Sequence, residues 1–179
     1  MVGAATASAL TVTGALGVSG AAALGSLGVT GTTVFLAGAT AASLKVTGAS
    51  DLVGGATAAS LYVTGNSSMQ GNLVVTGTSN LVGAAQASAL TVSGALGVTG
   101  AAALGSLAVT GASVLVGGAI AGSLKVTGTS DLVGGATAAS LKVTGSVTVG
   151  ADILATGNAF ITGDANITGN VFVTGDQNV

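Results

Sequence analysis

The sequence predicts an all-β fold made of short, stacked strands, and three features of the chain lead to this prediction. The chain has 179 residues, and the motif Leu-x-Val-Thr-Gly, or a close variant, recurs along it. Apolar and polar residues alternate within the motif, which is the pattern of a strand with one buried side. Gly occurs 32 times. Each glycine would cost about 1 kcal/mol inside a helix, so the many alanines do not indicate a helical fold.

The spacing of the motif defines how the chain is organised. The motif ends at Gly14, Gly31, Gly48, Gly65, Gly77, Gly94, Gly111, Gly128, Gly145 and Gly157. Successive ends follow a 17-residue period, except for two 12-residue units at residues 66–77 and 146–157. After Gly157 the period falls to six residues. We therefore divide the chain into a shaft, residues 1–157, and an end segment of hexapeptide repeats, residues 158–179.

A larger repeat contains the shorter ones. Residues 2–65 align with residues 82–145 at an offset of 80 without a gap, and 51 of the 64 positions are identical. One difference changes the chemistry of the side chain, because Tyr62 corresponds to Lys142. The chain has therefore been extended by duplication of an 80-residue block.

Each 17-residue unit divides into segments of six, five and six residues. In the segment that ends at Gly128, Leu124 and Val126 point to one side of a strand, while Lys125 and Thr127 point to the other. We expect the following glycine to supply the positive φ that turns a corner. The residues predicted to line the interior are Leu10, Val12, Leu27, Val29, Leu44, Val46, Leu61, Val63, Leu90, Val92, Leu107, Val109, Leu124, Val126, Leu141 and Val143.

Two arrangements of such strands are compatible with the repeats. A single-chain, three-sided β-solenoid suits coils of the 17-residue period, but a 12-residue unit would shift every later side by a third of a turn. An intertwined homotrimer, a triple-stranded β-helix, keeps its register for any whole number of sides and leaves no free lateral strand edge. The sequence thus favours the trimer, a rod of about 140 Å, with the single-chain solenoid of about 50 Å as the alternative.

The composition excludes several classes of function. The chain has no His, Cys, Arg or Glu, and it has only three Lys and five Asp. Zinc, haem and thiol chemistry lack their usual ligands, and binding of nucleic acid lacks its positive charge. We expect no enzymatic activity, no catalytic, cofactor-binding or metal-binding residues and no cofactor. Membrane insertion is not expected either, because flanking Lys/Arg and aromatic anchors are missing.

Two groups of charged or polar residues suggest specific interactions, each with a simpler alternative. Lys45, Lys125 and Lys142 occupy the same outward position of the repeat, and Asp51 and Asp131 follow six residues after the first two. They could form an axial Lys–Asp ladder, although exposed pairs contribute only about 0–1 kcal/mol and solvation alone explains them. The second group has Asn or Asp after a glycine at six-residue spacing, at Asn158, Asp164, Asn170 and Asp176. These residues could bind Ca²⁺, but Gly-Asn and Gly-Asp are turn dipeptides.

A row of hydroxyl residues precedes the glycines of the motif. It comprises Thr13, Thr30, Thr47, Thr64, Thr76, Ser93, Thr110, Thr127 and Thr144. A flat threonine array could bind ice, whereas the preference of Thr for strands and turns explains the same residues without a ligand. A Thr-x-Thr pair that ends at the threonine of the motif occurs only at residues 11–13.

Strings such as TVTGALGVSGAAALGSLGVTG and ITGDANITGNVFVTG resemble the repetitive shafts of viral tail-fibre and head-fibre proteins, especially those of bacteriophages. The resemblance implies a homotrimeric, elongated, chemically inert stalk on a virion or outside a cell. It implies self-association and attachment to a virion or cell-surface structure. A bacterial surface filament or adhesin stalk, and an ice-binding β-solenoid, are the alternative functions.

Overall fold

The structure, a computed structural model, describes residues 2–178 and is a single-chain, three-sided parallel β-solenoid. Met1 and Val179, the outer limits of the two predicted segments, lie outside the described residues. The long strands, of eight or nine residues, are β1 (Ala5–Val12), β3 (Ala22–Val29), β5 (Ala39–Val46), β7 (Ala56–Val63), β8 (Ser67–Val75), β10 (Ala85–Val92), β12 (Ala102–Val109), β14 (Ala119–Val126) and β16 (Ala136–Val143).

The remaining strands have two or three residues each. They are β2 (Leu16–Val18), β4 (Thr33–Phe35), β6 (Ser50–Leu52), β9 (Ser79–Leu81), β11 (Leu96–Val98), β13 (Ser113–Leu115), β15 (Ser130–Leu132), β17 (Val147–Val149), β18 (Ile153–Ala155), β19 (Ala159–Ile161), β20 (Ala165–Ile167), β21 (Val171–Val173) and β22 (Gln177–Asn178). A long strand covers two sides of the solenoid, with one residue left out of the pairing between them, and a short strand covers one side.

The strands pair in parallel with strands of the same chain one coil further on. Leu44 pairs with Leu61, and in the end segment Ala159 pairs with Gln177. Each coil is therefore about 17 residues long, and about ten coils stack along the axis. The all-β solenoid prediction is confirmed in its single-chain form. The intertwined trimer is not the fold of this structure, because each strand finds its backbone partners within its own chain.

The three sides form three continuous parallel sheets, which we call faces I, II and III, and one strand spacing along the axis is one layer. The outward row of face I is Thr6, Ala23, Thr40, Thr57, Val74, Thr91, Ala108, Lys125, Lys142, Phe160. The outward row of face II is Thr11, Gly28, Lys45, Tyr62, Asn80, Gly97, Val114, Asp131, Thr148, Asn166. The outward row of face III is Gly17, Val34, Asp51, Ser68, Gln86, Ala103, Ile120, Thr137, Leu154, Phe172.

The core runs along the axis between the three faces. Of the sixteen predicted interior residues, fourteen are buried, and Val126 has no exposed surface. Leu10 and Val12 belong to the first coil; they are partly buried and pack against the core. The prediction of the interior from the period-two pattern is confirmed.

The 12-residue unit at residues 66–77 occupies two sides of one coil. Its strand β8 places Ser67–Met69 next to β6 on face III and Leu73–Val75 next to the start of β7 on face I. Each repeat segment after residue 77 therefore lies on a different face from the equivalent segment before residue 66. For example, Lys45 lies on face II and its equivalent Lys125 lies on face I. We expected this shift to disfavour a single chain, and that expectation was wrong. The five-residue segment that begins β10 stacks on the six-residue segment that begins β8, and a register shift between Ala87 and Ala89 takes up the extra residue.

The corner glycines have a different role from the one predicted. Within residues 2–178, positive φ occurs only at Gly3, Gly55, Gly118 and Gly135, and none of these ends a Leu-x-Val-Thr-Gly motif. From Gly31 onward, the motif glycines instead lie against the backbone of the preceding coil. A Cβ built on Gly128 would lie 2.5 Å from the carbonyl oxygen of Gly111. Absence of a side chain, rather than an unusual φ, is what these positions require.

Candidate functional site

The structure divides the three lysines between two faces. Lys45 lies on face II, whereas Lys125 and Lys142 are direct neighbours on face I. Asp51 lies on face III and Asp131 on face II. The axial Lys–Asp ladder is therefore not formed, and no lysine makes an ion pair with a carboxylate within the described part of the chain. The six-residue spacing explains this, because it corresponds to one side of a coil and so places the Lys and the Asp of each copy on adjacent faces.

The two copies of the lysine segment have different neighbours. In the first copy, the Lys45 Nζ lies 5.9 Å from the centre of the Tyr62 ring, within the range of a cation–π interaction. In the second copy, Lys125 faces Lys142 instead, and Phe160 follows Lys142 in the same row. An open pocket of about 260 Å³ is lined by Lys142, Phe160, Ile161 and Thr162. The sequence predicted either a Lys–Asp ladder or plain solvation for these lysines, and it did not indicate that two of them lie together beside an aromatic ring.

The hydroxyl row is split in two by the one-side shift at residues 66–77. Thr13, Thr30, Thr47 and Thr64 line the corner after face II, while the members from Thr76 to Thr144 line the corner after face I. The backbone hydrogen bonds show this division. The Thr64 amide donates to the Val46 carbonyl at the end of face II, whereas the Thr76 amide donates to the Ala58 carbonyl at the end of face I. The predicted single row is therefore wrong, and the bulky Lys45 and Tyr62 interrupt the flat surface beside the first part.

The polar residues of the end segment lie at three different corners, and the side chains of Asn158 and of Asp152, just before the segment, bond there to the backbone of the next coil. Asp152 Oδ1 accepts a hydrogen bond of 2.7 Å from the Asn170 amide, and Asn158 Oδ1 accepts one of 3.0 Å from the Asp176 amide. Asp164 precedes β20 at the corner after face I. Residues 2–178 contain no group of three His, Cys, Asp or Glu side chains placed to hold a metal ion. The geometry supports the turn interpretation of the Gly-Asn and Gly-Asp pairs.

A buried row of hydroxyls was missed by the sequence analysis. In the first block Thr33, Ser50 and Ser67 point inward on face III, and they are at most 3% exposed. Their side-chain oxygens have no hydrogen-bond partner among the described residues, whereas Ser113 and Ser130 in the second block bond to each other at 3.0 Å. The signal was present, since Ser50 precedes Leu52 by two residues and must therefore share its inward side.

An open groove of about 630 Å³ lies along face III, beside the outward residues Ser68, Gln86, Ala103 and Ile120. Amide and hydroxyl groups of Ser68, Gln70, Gln86 and Ser88 line one part of it, and Ile120 lines the other. None of its lining residues is ionisable. The groove offers neutral hydrogen-bonding groups, and the hydroxyls of Ser68 and Ser88 have no ionisable side chain beside them among the lining residues.

Helices that could cross a membrane are not found in the described part of the chain. Comparison of the chain with protein-family models, with curated proteins and with solved structures finds no match.

Proposed function

We propose that this protein is a rigid rod in a fibre on a virion or outside a cell, where its length and stiffness are its function. The observation that carries the proposal is the continuity of the three faces. Each face forms an uninterrupted parallel ladder through about ten layers, including the two places where the repeat length changes. At about 4.8 Å per layer the rod is about 50 Å long.

The packing of the rod supports stiffness. Leu and Val residues stack on identical residues in successive layers, as Leu124 does between Leu107 and Leu141. Long-range contacts along the chain connect neighbouring coils, so bending would separate buried apolar surfaces on one side. A structure of this kind behaves as a one-dimensional stack in which each coil is stabilised by its neighbours.

The surface of the rod also supports a structural role. Eight ionisable Lys and Asp side chains are distributed over 179 residues, and the outward rows consist mostly of Thr, Ala, Gly and Val. Such a surface has few groups able to carry out chemistry. Because each chain completes its own coils, a fibre made of several copies would assemble from finished solenoids. A viral fibre and a bacterial adhesin stalk would use the same rod and differ in what it attaches to.

The rod can be tested by distance measurements between spin labels, because the chain has no native cysteine. Thr11→Cys and Thr148→Cys place labels on the outward row of face II, eight layers apart, at a backbone separation of about 38 Å. The matched pair Thr11→Cys and Val114→Cys, six layers apart, should give about 29 Å. Two narrow distributions in this ratio are expected for a straight rod.

A broad distribution, or a Thr11–Thr148 separation near the ~110 Å of an intertwined trimer, would contradict the rod described here. The placement in a fibre has its own test. Antibodies against the purified chain should decorate slender projections of the source virion or cell in electron micrographs. Labelling confined to the interior of the particle would exclude a fibre while leaving the rod intact.

A further inference from the structure

We propose that face I carries a binding site for an acidic sugar, a pyranose ring that bears a carboxylate. Lys125 and Lys142 would bind the carboxylate, and the ring would pack against Phe160. The proposal concerns the surface of the solenoid, and it stands whether or not the rod belongs to a fibre.

The two lysines form an unfavourable pair on their own. Lys125 and Lys142 are directly opposite each other on neighbouring strands, and both are exposed. Like charges at such positions destabilise a sheet. Neither lysine forms an ion pair with a carboxylate within residues 2–178; Asp131 lies on face II, Asp164 lies at the corner after face I, and Asp176 lies at a corner beyond Phe160. An external anion between the two ammonium groups would remove the repulsion and form charge-assisted hydrogen bonds.

The aromatic ring beside the lysines indicates what kind of molecule carries the anion. Phe160 lies directly next to Lys142 in the outward row, and 40% of its surface is exposed. The pocket of about 260 Å³ between Lys142, Phe160 and Thr162 has room for a single ring. One wall of the pocket is thus apolar, and Thr162 contributes a hydroxyl that can bond to a sugar hydroxyl. A pyranose carboxylate presents both an apolar C–H side and an anionic group.

The lysine pair and the neighbouring phenylalanine occur in the second block and not at the equivalent positions of the first. The residue equivalent to Lys142 in the first block is Tyr62, over which Lys45 lies at 5.9 Å. The residue beyond Tyr62 in its row is Asn80 rather than an aromatic residue. The first block therefore provides a natural control that has one lysine, no lysine pair and a differently placed ring.

The experiment is an NMR titration of the full chain with sodium glucuronate, with glucose as the neutral ring and with sodium sulfate as the anion without a ring. We expect glucuronate to shift the amides of β14, β16 and β19, with a dissociation constant in the millimolar range. Exposed charge contacts contribute little to affinity, so tighter binding is not expected. Glucose and sulfate should each bind at least about fivefold more weakly, because each lacks one of the two contacts.

Three variants separate this site from general attraction between charges. Lys142→Tyr introduces the residue of the first block and should weaken glucuronate binding about fivefold. Phe160→Ala should remove the preference for glucuronate over sulfate. Lys45→Ala removes the same charge on face II and should leave the affinity unchanged. Equal losses in Lys142→Tyr and Lys45→Ala, or shifts located on other faces, would overturn the proposal. Unchanged melting temperatures would show that the variants remain folded.

Discussion

Gly128 represents a class of residues whose requirement is steric. Its φ is not positive, yet a Cβ at this position would meet the Gly111 carbonyl oxygen at 2.5 Å. Gly28 differs, because a Cβ built there has no atom within 4 Å, and the second block has Ala108 at the equivalent position. The same change from glycine to alanine can therefore be compared at a crowded and at an open position.

We expect Gly128→Ala to lower the free energy of unfolding by about 1–3 kcal/mol, since two backbones must move apart to admit the methyl group. Gly28→Ala should leave it unchanged or raise it by up to about 1 kcal/mol, because alanine reduces the freedom of the unfolded chain. Urea denaturation followed by circular dichroism measures both. If the two variants lost equal stability, close backbone approach would not be the reason for glycine at the corners.

Val126 tests the assignment of the core. It has no exposed surface and stacks between Val109 and Val143 on face I. Val126→Asp would bury an unpaired charge, and we expect a loss of about 4 kcal/mol or more. Val116→Asp is the matched control, because Val116 is 42% exposed and should tolerate the change. Thermal melting distinguishes the two, and similar melting temperatures would mean that Val126 does not face the interior.

At the scale of the strands and coils, the 12-residue unit determines which positions become neighbours. Thr64 and Val82 lie in adjacent layers at the corner after face II, as the bond from the Val82 amide to the Val63 carbonyl shows. Ser93 lies at the corner after face I, where its amide bonds to Val75. Removal of residues 66–77 would restore an unbroken 17-residue period and place Ser93 directly next to Thr64.

Engineered disulfides can detect this change of neighbours, because adjacent layers bring Cα atoms to about 4.8 Å, within the roughly 4.4–6.8 Å that a disulfide allows. In the full chain, Thr64→Cys with Val82→Cys should form a disulfide, and Thr64→Cys with Ser93→Cys should not. In the variant that lacks residues 66–77, the Thr64–Ser93 pair should become oxidised. Gel mobility after oxidation reports the result. Formation of the Thr64–Ser93 disulfide in the full chain would contradict the one-side shift.

The sequence predicted the strands and their inward residues well, but not how the sides stack. The alternation of apolar and polar residues along a strand assigns Leu124 and Val126 to the interior, whichever strands lie next to them. The stacking of Ala85–Ala87 on Ser67–Met69 depends on a local register shift near Ala89, which has no sequence pattern of its own. For the same reason, the separation of Lys45 from Lys125, and thus the face I pocket, could not be found from equivalent repeat positions.

At the scale of the whole molecule, the number of chains was beyond the reach of the sequence. Leu44 would stack on a leucine whether its neighbour came from the same chain or from an identical one. The structure has an accessible surface of 7511 Å². A compact monomer of 16.2 kDa is expected to have about 7,500 Å². The accessible surface of the single chain is therefore that of an ordinary monomer of this mass.

Because of the one-side shift, successive copies of the duplicated block are related by a screw rotation about the axis of the solenoid. Each 80-residue block fills fourteen sides, so the next block begins about 22 Å further along the axis and is rotated by two thirds of a turn. Lys45 and Lys125 occupy equivalent positions of successive blocks, and they lie on different faces. If further blocks followed, a given residue position would return to the same face only after three blocks, roughly 67 Å along the axis. A partner that binds along one face would then contact that position at intervals of this length. Partners that approach from any of the three faces would each have a copy of the position available.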